Sequence, residues 1–281
     1  MTRRTSKSKH SATVQTRNVV GVGNRTTGIQ SKQYKSRKGT LQHSTISGQQ
    51  FWNREYVEGN HFSLSLKPAS ELVKCMRWFR REQDHYDLSS MSILDIGCGN
   101  GRNALYMAET FGCQGSGFDF SSSAVEAANQ LAKSEKLPLD FFVHNLENPI
   151  PKPDASYDFA IDMMVSHCLR LPARQQYKSE IIRLLRDDGF LVIKTFLREG
   201  DEHAKRMIQT HPGGEPNSYI HPMIKIFEHV TSEREFVEFW EPEFQIIVLH
   251  KSHGYQHWGG VPYKRRYMVA YLQKKSQNLP A

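Results

Sequence analysis

No Asp or Glu occurs in the first 53 residues, although the same stretch holds ten Lys or Arg. The net charge of +8 therefore divides into +10 on this segment and −2 on everything after it. The basic balance describes a tail and not the body of the protein. The segment is also poor in large apolar residues and rich in Ser, Thr and Gln, so it cannot bury enough surface to offset the entropy of ordering. Residues 1–48 read as a disordered basic tail. Its readings are a solvated extension, an electrostatic contact with RNA or ribosomes, or an organelle transit peptide.

Long apolar runs are missing too. There is no stretch of about eighteen apolar residues and no hydrophobic signal core near the start, so neither a membrane span nor secretion is expected. A cytoplasmic location is expected, with organelle or nucleus left open by the tail. Cysteine is scarce: Cys75, Cys98, Cys113 and Cys168 are scattered without metal-ligand spacing, which fits free thiols in a reducing compartment. His250, His253 and His257 crowd one late segment, but ligand triads need converging geometry, and no metal is expected. With 281 residues and 38% hydrophobic content the chain can still form a sizeable core. Residues 49–274 are read as one domain, followed by a short tail, 275–281.

The most informative stretch runs from Ile93 to Glu109. Ile93, Leu94 and Ile96 suit a parallel strand covered on both faces, interrupted by Asp95. Gly97, Gly99 and Gly101 come next at every second position, letting the main chain turn sharply and bring its N–H groups against a ligand. From Asn103 the pattern turns helical, with Leu105, Ala108 and one of Tyr106 and Met107 facing inward. The dinucleotide fingerprint spaces its last glycine by two residues and sets a pyrophosphate on the helix N-terminus. Here the spacing is G-x-G-x-G, which argues against an NAD-dependent oxidoreductase.

Asp95 to Gly101, an acidic residue followed by x-G-x-G-x-G, resembles the first motif of class I S-adenosylmethionine (SAM)-dependent methyltransferases. The order of the later segments extends the likeness over about residues 51–274. A second apolar run, Gly112 to Phe120, ends in Asp119, whose carboxylate at a strand tip can grip both ribose hydroxyls. A third, Leu139 to Val143, leads to Asn145, where the family commonly has an aspartate for the adenine amine; an asparagine oxygen can still accept. Strands at Tyr157 to His167 and Asp187 to Phe196 flank a helix from Gln175 to Leu185. The alternation is that of a doubly wound, mostly parallel sheet. The resemblance implies seven strands with the last antiparallel. It carries cofactor contacts onto Asp95, Gly97, Cys98, Gly99, Asn100, Gly101, Asn103, Asp119, Phe120, Asn145 and Leu146.

Similarity to tellurite-resistance-type methyltransferases adds Trp52 and Tyr56, a W-x-x-x-Y element read either as a cofactor lid or as plain helix packing. Pro68 fits the first turn of a helix whose inward face is Leu72, Cys75, Met76 and Phe79. From Leu197 to Phe227 periodicity is lost. A Gly- and Pro-rich loop there, leaving the fifth strand, is placed to wall an acceptor pocket, with Tyr219, His221 and Glu228 as candidates. A helix begins near Thr231. Phe244 to Leu249 and Arg266 to Leu272 form a final antiparallel pair joined by a long hairpin, whose Tyr255, Trp258, Tyr263, Lys264, Arg265 and Arg266 are read as solvated or as stacking on and neutralising a nucleic-acid or phosphorylated acceptor.

Methyl transfer from a sulfonium is an in-line displacement, so positioning does most of the work. His167, beyond the fourth strand, is read as a general base or as a histidine with a structural hydrogen bond. N-P-P-Y or D-P-P-Y, the element that members of the resembled family use for planar exocyclic or amide nitrogens, is absent from that strand end, which disfavours adenine-N6 and glutamine methylation. No Pro-Cys pair supports a cytosine-C5 mechanism. A small-molecule acceptor is expected. An RNA- or ribosome-directed enzyme or binding module is the alternative, and the oligomeric state is not legible.

Overall fold

The computed structural model describes residues 48–59, 64–258 and 261–276. The basic tail up to residue 47 and the last five residues lie outside them. Gly48, taken above as the tail's end, opens helix α1 (Gly48–Glu58).

Seven strands form the central sheet. They are β1 (Ser92–Ile96), β2 (Gln114–Asp119), β3 (Leu139–Val143), β4 (Tyr157–Met163), β5 (Leu185–Phe196), β8 (Phe244–Trp258) and β9 (Val261–Lys274), in the order β3-β2-β1-β4-β5-β9-β8. The first five are parallel, β9 runs antiparallel to β5, and β8 antiparallel to β9. Ile93, Leu94 and Ile96 are buried because helices cover both faces of β1. On one face α2 (Ser70–Glu82), α3 (Arg102–Phe111) and α4 (Ser122–Ser134) pack Met76, Phe79, Met107 and Ala128 against Ile93, Ile161 and Val192. On the other, α5 (Leu171–Leu184) and α7 (Glu233–Trp240) pack Tyr177, Ile181 and Trp240 against Leu94, Ala160 and Leu191. Strand order reverses between β1 and β4, and ligands in such sheets bind beyond the carboxyl ends at that reversal.

Four boundaries differ from expectation. α5 starts at Leu171, ahead of Gln175, because Pro172 occupies its first turn. β4 stops at Met163, short of His167. The Asp162 carboxylate accepts from the Val165 and Ser166 amides at 2.8 and 3.2 Å, and Met164 takes a φ of 77°, so the chain turns off the sheet. The segment after β5 is no plain loop. It holds α6 (Glu202–Thr210), capped by Asp201, and a small hairpin of β6 (Ser218–Ile220) and β7 (Phe227–His229). The β8–β9 connection is likewise no loose hairpin, since the strands pair from Phe244↔Lys274 to Trp258↔Val261.

Candidate functional site

The loop from Gly97 to Gly101 leaves β1 at the reversal point. All three glycines have positive φ, 58°, 56° and 78°, a conformation other residues rarely adopt. The space above them is used closely. A Cβ on Gly97 would stand 2.4 Å from a Val165 methyl, and one on Gly99 only 2.1 Å from the Tyr56 hydroxyl. The first contact ties the loop to the turn after β4. The second ties it to α1.

Asp119, at the tip of β2, accepts from the Gly99 amide at 3.0 Å and the Ser121 amide at 2.9 Å. One carboxylate thereby fixes both the glycine loop and the start of α4. Asp95 accepts from the Ala104 amide at 3.2 Å, near the N-terminus of α3. Burial pushes Asp95 up to about 7, with the neighbouring Asp119 and Asp162 adding to the rise and Arg102 offsetting part of it. Burial raises Asp119 and Asp162 as well. Three buried carboxylates around one loop make a site that favours a cationic ligand. The ammonium and sulfonium of SAM suit it, whereas a pyrophosphate would add to the repulsion. On charge and on glycine clearance, the residues present fit SAM.

α1 lies across this cradle. The Asn53 side-chain oxygen accepts from Ser121 Oγ at 2.8 Å, and Gln49 Nε2 donates to the Phe120 carbonyl at 2.7 Å. Tyr56 meets the loop, with Trp52 at 6.4 Å between ring centroids. Burial and the Asp119 charge push the Tyr56 phenol well above its usual range, so it stays protonated and available as a donor.

Of the other expected cofactor contacts, Asn145 lies in an exposed turn, its oxygen accepting from the Glu147 amide at 3.2 Å, while Leu146 is buried. Asn103 turns away from the loop: its oxygen accepts from the Ala69 amide at 2.9 Å and anchors the entry to α2. The Asn100 amide reaches the Ser65 carbonyl at 3.5 Å, and Cys98 is buried with its thiol raised by burial.

Beyond the carboxyl ends of β4 and β5, the turn after β4 brings His167 under Phe196, the last residue of β5, with ring centroids 4.7 Å apart. Burial lowers His167 to about 4, so the ring is neutral at physiological pH. Its Nε2 lies 3.3 Å from Cys168 Sγ, and its buried Nδ1 has no partner among the described residues. Tyr219 and Glu228 come together across the β6–β7 hairpin, the phenol donating to the carboxylate. His221 sits at the hairpin's turn, with Nδ1 accepting from the Ile224 amide at 3.4 Å.

The residue that gathers this side was misplaced by sequence reasoning. Arg265, read as a surface cation of the long hairpin, is 1% exposed. Its guanidinium stacks 3.6 Å over Phe196, its Nε donates to Asp201 at 2.9 Å, and its Nη1 lies 3.6 Å from Glu228. Tyr263 also turns inward and stacks on His203 at 4.0 Å. Alternation along β9 separates the exposed Lys264 from buried Arg265, a signal hidden while the segment was taken for a loop.

Comparison with known proteins agrees with this fold. A family model described as a methyltransferase domain matches residues 93–189. A phthiotriol/phenolphthiotriol dimycocerosates methyltransferase of Mycobacterium ulcerans is 29% identical over 158 residues, 55% of this chain and 56% of that protein. The chain thus spans about half the length of the curated relatives it matches. A SAM-dependent methyltransferase structure from Methanosarcina mazei superposes with a TM-score of 0.59 at 24% identity, covering 70% of this chain and 98% of that one. A didemethyltoxoflavin methyltransferase structure from Burkholderia thailandensis, with bound substrate and S-adenosylhomocysteine, gives 0.53 at 17% identity, covering 74% and 79%. Residues 93–189 thus match a methyltransferase domain, and the chain has the fold of solved SAM-dependent methyltransferases.

Proposed function

We propose that the protein transfers the methyl group of SAM to a small-molecule acceptor. The observation that carries this reading is the acidic glycine cradle, with Val165 against Gly97 and the buried His167 two residues further along the same turn. SAM supplies an electrophilic methyl group. Asp95 and the loop amides hold its methionine portion, Asp119 and Phe120 the ribose, and Asn145 and Leu146 the adenine edge. Tyr56 and Trp52 close over the cofactor as a lid that excludes water. His167, neutral and with a free ring nitrogen, takes the proton of a protic acceptor. The relatives' names support a lipid or other small molecule in that place. Calorimetric titration with SAM and separately with NAD tests the cofactor assignment: micromolar binding of SAM and none of NAD is expected, and the reverse result defeats it.

A further inference from the structure

The turn that follows β4 forms one wall of the glycine loop. Its Val165 methyls sit so close over Gly97 that a Cβ there would stand 2.4 Å from one of them. Any shift of the turn therefore reaches the loop. What holds the turn is the buried Asp162, whose carboxylate accepts from the Val165 amide at 2.8 Å, the Ser166 amide at 3.2 Å and the Tyr177 phenol at 2.9 Å. The two amides belong to the turn and move with it. The phenol comes from another part of the fold: Tyr177 is buried in the middle of α5, its ring edge-on to Trp240 of α7 with centroids 6.1 Å apart.

Packing does not replace that hydrogen bond. A cavity of about 60 Å³ lies beside the turn, lined by Ser166, His167, Tyr177, Thr195, Glu235 and Trp240 among others. That is room for about two water molecules, so Ser166 and His167 have no dense wall on that side. Met164, at the start of the turn, is held at a φ of 77°, which a non-glycine residue keeps only where its surroundings impose it. Beside a void, where close-packed neighbours are missing, the hydrogen bonds must impose it.

We propose that Tyr177 is a positioning residue for the cofactor: through Asp162 it fixes the turn after β4, and through Val165 that turn fixes the glycine loop in its SAM-binding shape. The inference rests on the SAM reading above and adds to it a residue of α5, on the face of the sheet opposite α3 and α4. Without the phenol hydroxyl, fewer molecules hold the competent loop, and the apparent affinity for SAM falls in proportion to that fraction.

Calorimetric titration of the full chain with SAM tests this, with melting curves run on every variant. Tyr177→Phe removes only the hydroxyl and should weaken SAM binding about fivefold, the worth of one net hydrogen bond. Val165→Ala, which withdraws the methyls from Gly97, should weaken it as well, and in the double variant the two losses should not multiply, because both break one path. Ile181→Val is the control. It trims another buried side chain of α5 and should lower the melting temperature while leaving SAM affinity unchanged. A Tyr177→Phe protein that melts earlier yet binds SAM as the unaltered chain does has lost only a structural contact, and the inference falls. An equal loss of affinity in Ile181→Val, or multiplying losses in the double variant, also overturns it. Should Tyr177→Phe not fold, Val165→Ala carries the test, and unchanged affinity there breaks the path at its last step. If the unaltered chain does not bind SAM, the cofactor reading falls and takes the inference with it.

Discussion

At the scale of the residue, the glycine loop and its acids make sharp demands. Gly99→Ala adds a Cβ at a φ of 56° and 2.1 Å from the Tyr56 hydroxyl, so either the loop or the lid must shift. SAM affinity should fall at least tenfold, about 1.4 kcal/mol, while calorimetric melting still shows a folded protein. Asp95 gives a pH signature. With its carboxyl pushed up to about 7, the cofactor's ammonium meets a charged partner above pH 7 and must expel a proton below it. Affinity should fall by up to tenfold per unit below pH 7, a dependence that Asp95→Asn abolishes along with tight binding. The stability sign is opposite. An acid whose folded pKa lies above its unfolded value near 3.8 binds more protons when folded. The cofactor-free protein therefore loses stability as pH rises from about 4 through 7. At pH 8 Asp95→Asn should be the more stable protein by on the order of 1–3 kcal/mol in urea unfolding. A site that strengthens when its ligand is absent and its charge removed is one shaped for binding rather than for folding.

At the scale of the element, legibility followed periodicity. β1, β3 and the apolar face of α2 were readable because an apolar strand or a 3.6-residue stripe needs no tertiary context. α6 was missed because its stripe is short, Ala204 and Met207 with His203 among the buried residues, and a buried histidine looks polar in a sequence. The reach of β8 and β9 was missed for a related reason: their outer halves mix histidines, cations and tyrosines with few aliphatic residues, and only the fold shows which of them face inward. The cofactor side was legible because glycines and acids there act through backbone geometry close in sequence. The cluster beyond β5 depends on Asp201, Glu228 and Arg265, which meet only after α6, the β6–β7 hairpin and β9 have packed. Asp201 is the joint of that assembly. One oxygen caps α6 by accepting from the Ala204 amide at 2.8 Å, and the other holds Arg265 Nε and the Arg266 amide at 2.9 and 3.0 Å. Asp201→Ala strands a buried guanidinium and removes a cap, and should destabilise the fold by about 3–5 kcal/mol. Asp201→Asn keeps the cap and should lose less, which denaturant unfolding of the two variants resolves.

At the scale of the whole molecule, charge separates two parts that sequence alone already sets apart. Residues 1–47 carry all of the +10, and the chain from Gly48 onward carries −2. An RNA-directed role assigned to this protein must work through one of them, and salt tells which. Binding through the tail releases counterions in proportion to the phosphates neutralised, so log K for a single-stranded RNA should fall steeply with log salt, with a slope reaching about −7 if all ten cations engage. Deleting residues 1–47 should then remove both the affinity and the slope, while SAM titration of the shortened chain stays unchanged because α1 and the glycine cradle are intact. If the shortened chain keeps its affinity, the contact belongs to the exposed face of the β8–β9 hairpin, where Tyr255 and Lys264 pair across the strands. The slope would then shrink to that of the few cations engaged there, about −0.7 for each, and a Tyr255→Ala, Lys264→Ala pair would abolish binding. If neither the full chain nor the shortened one binds RNA, the RNA-directed reading falls, since a body of net charge −2 has no electrostatic reason to approach a phosphate backbone.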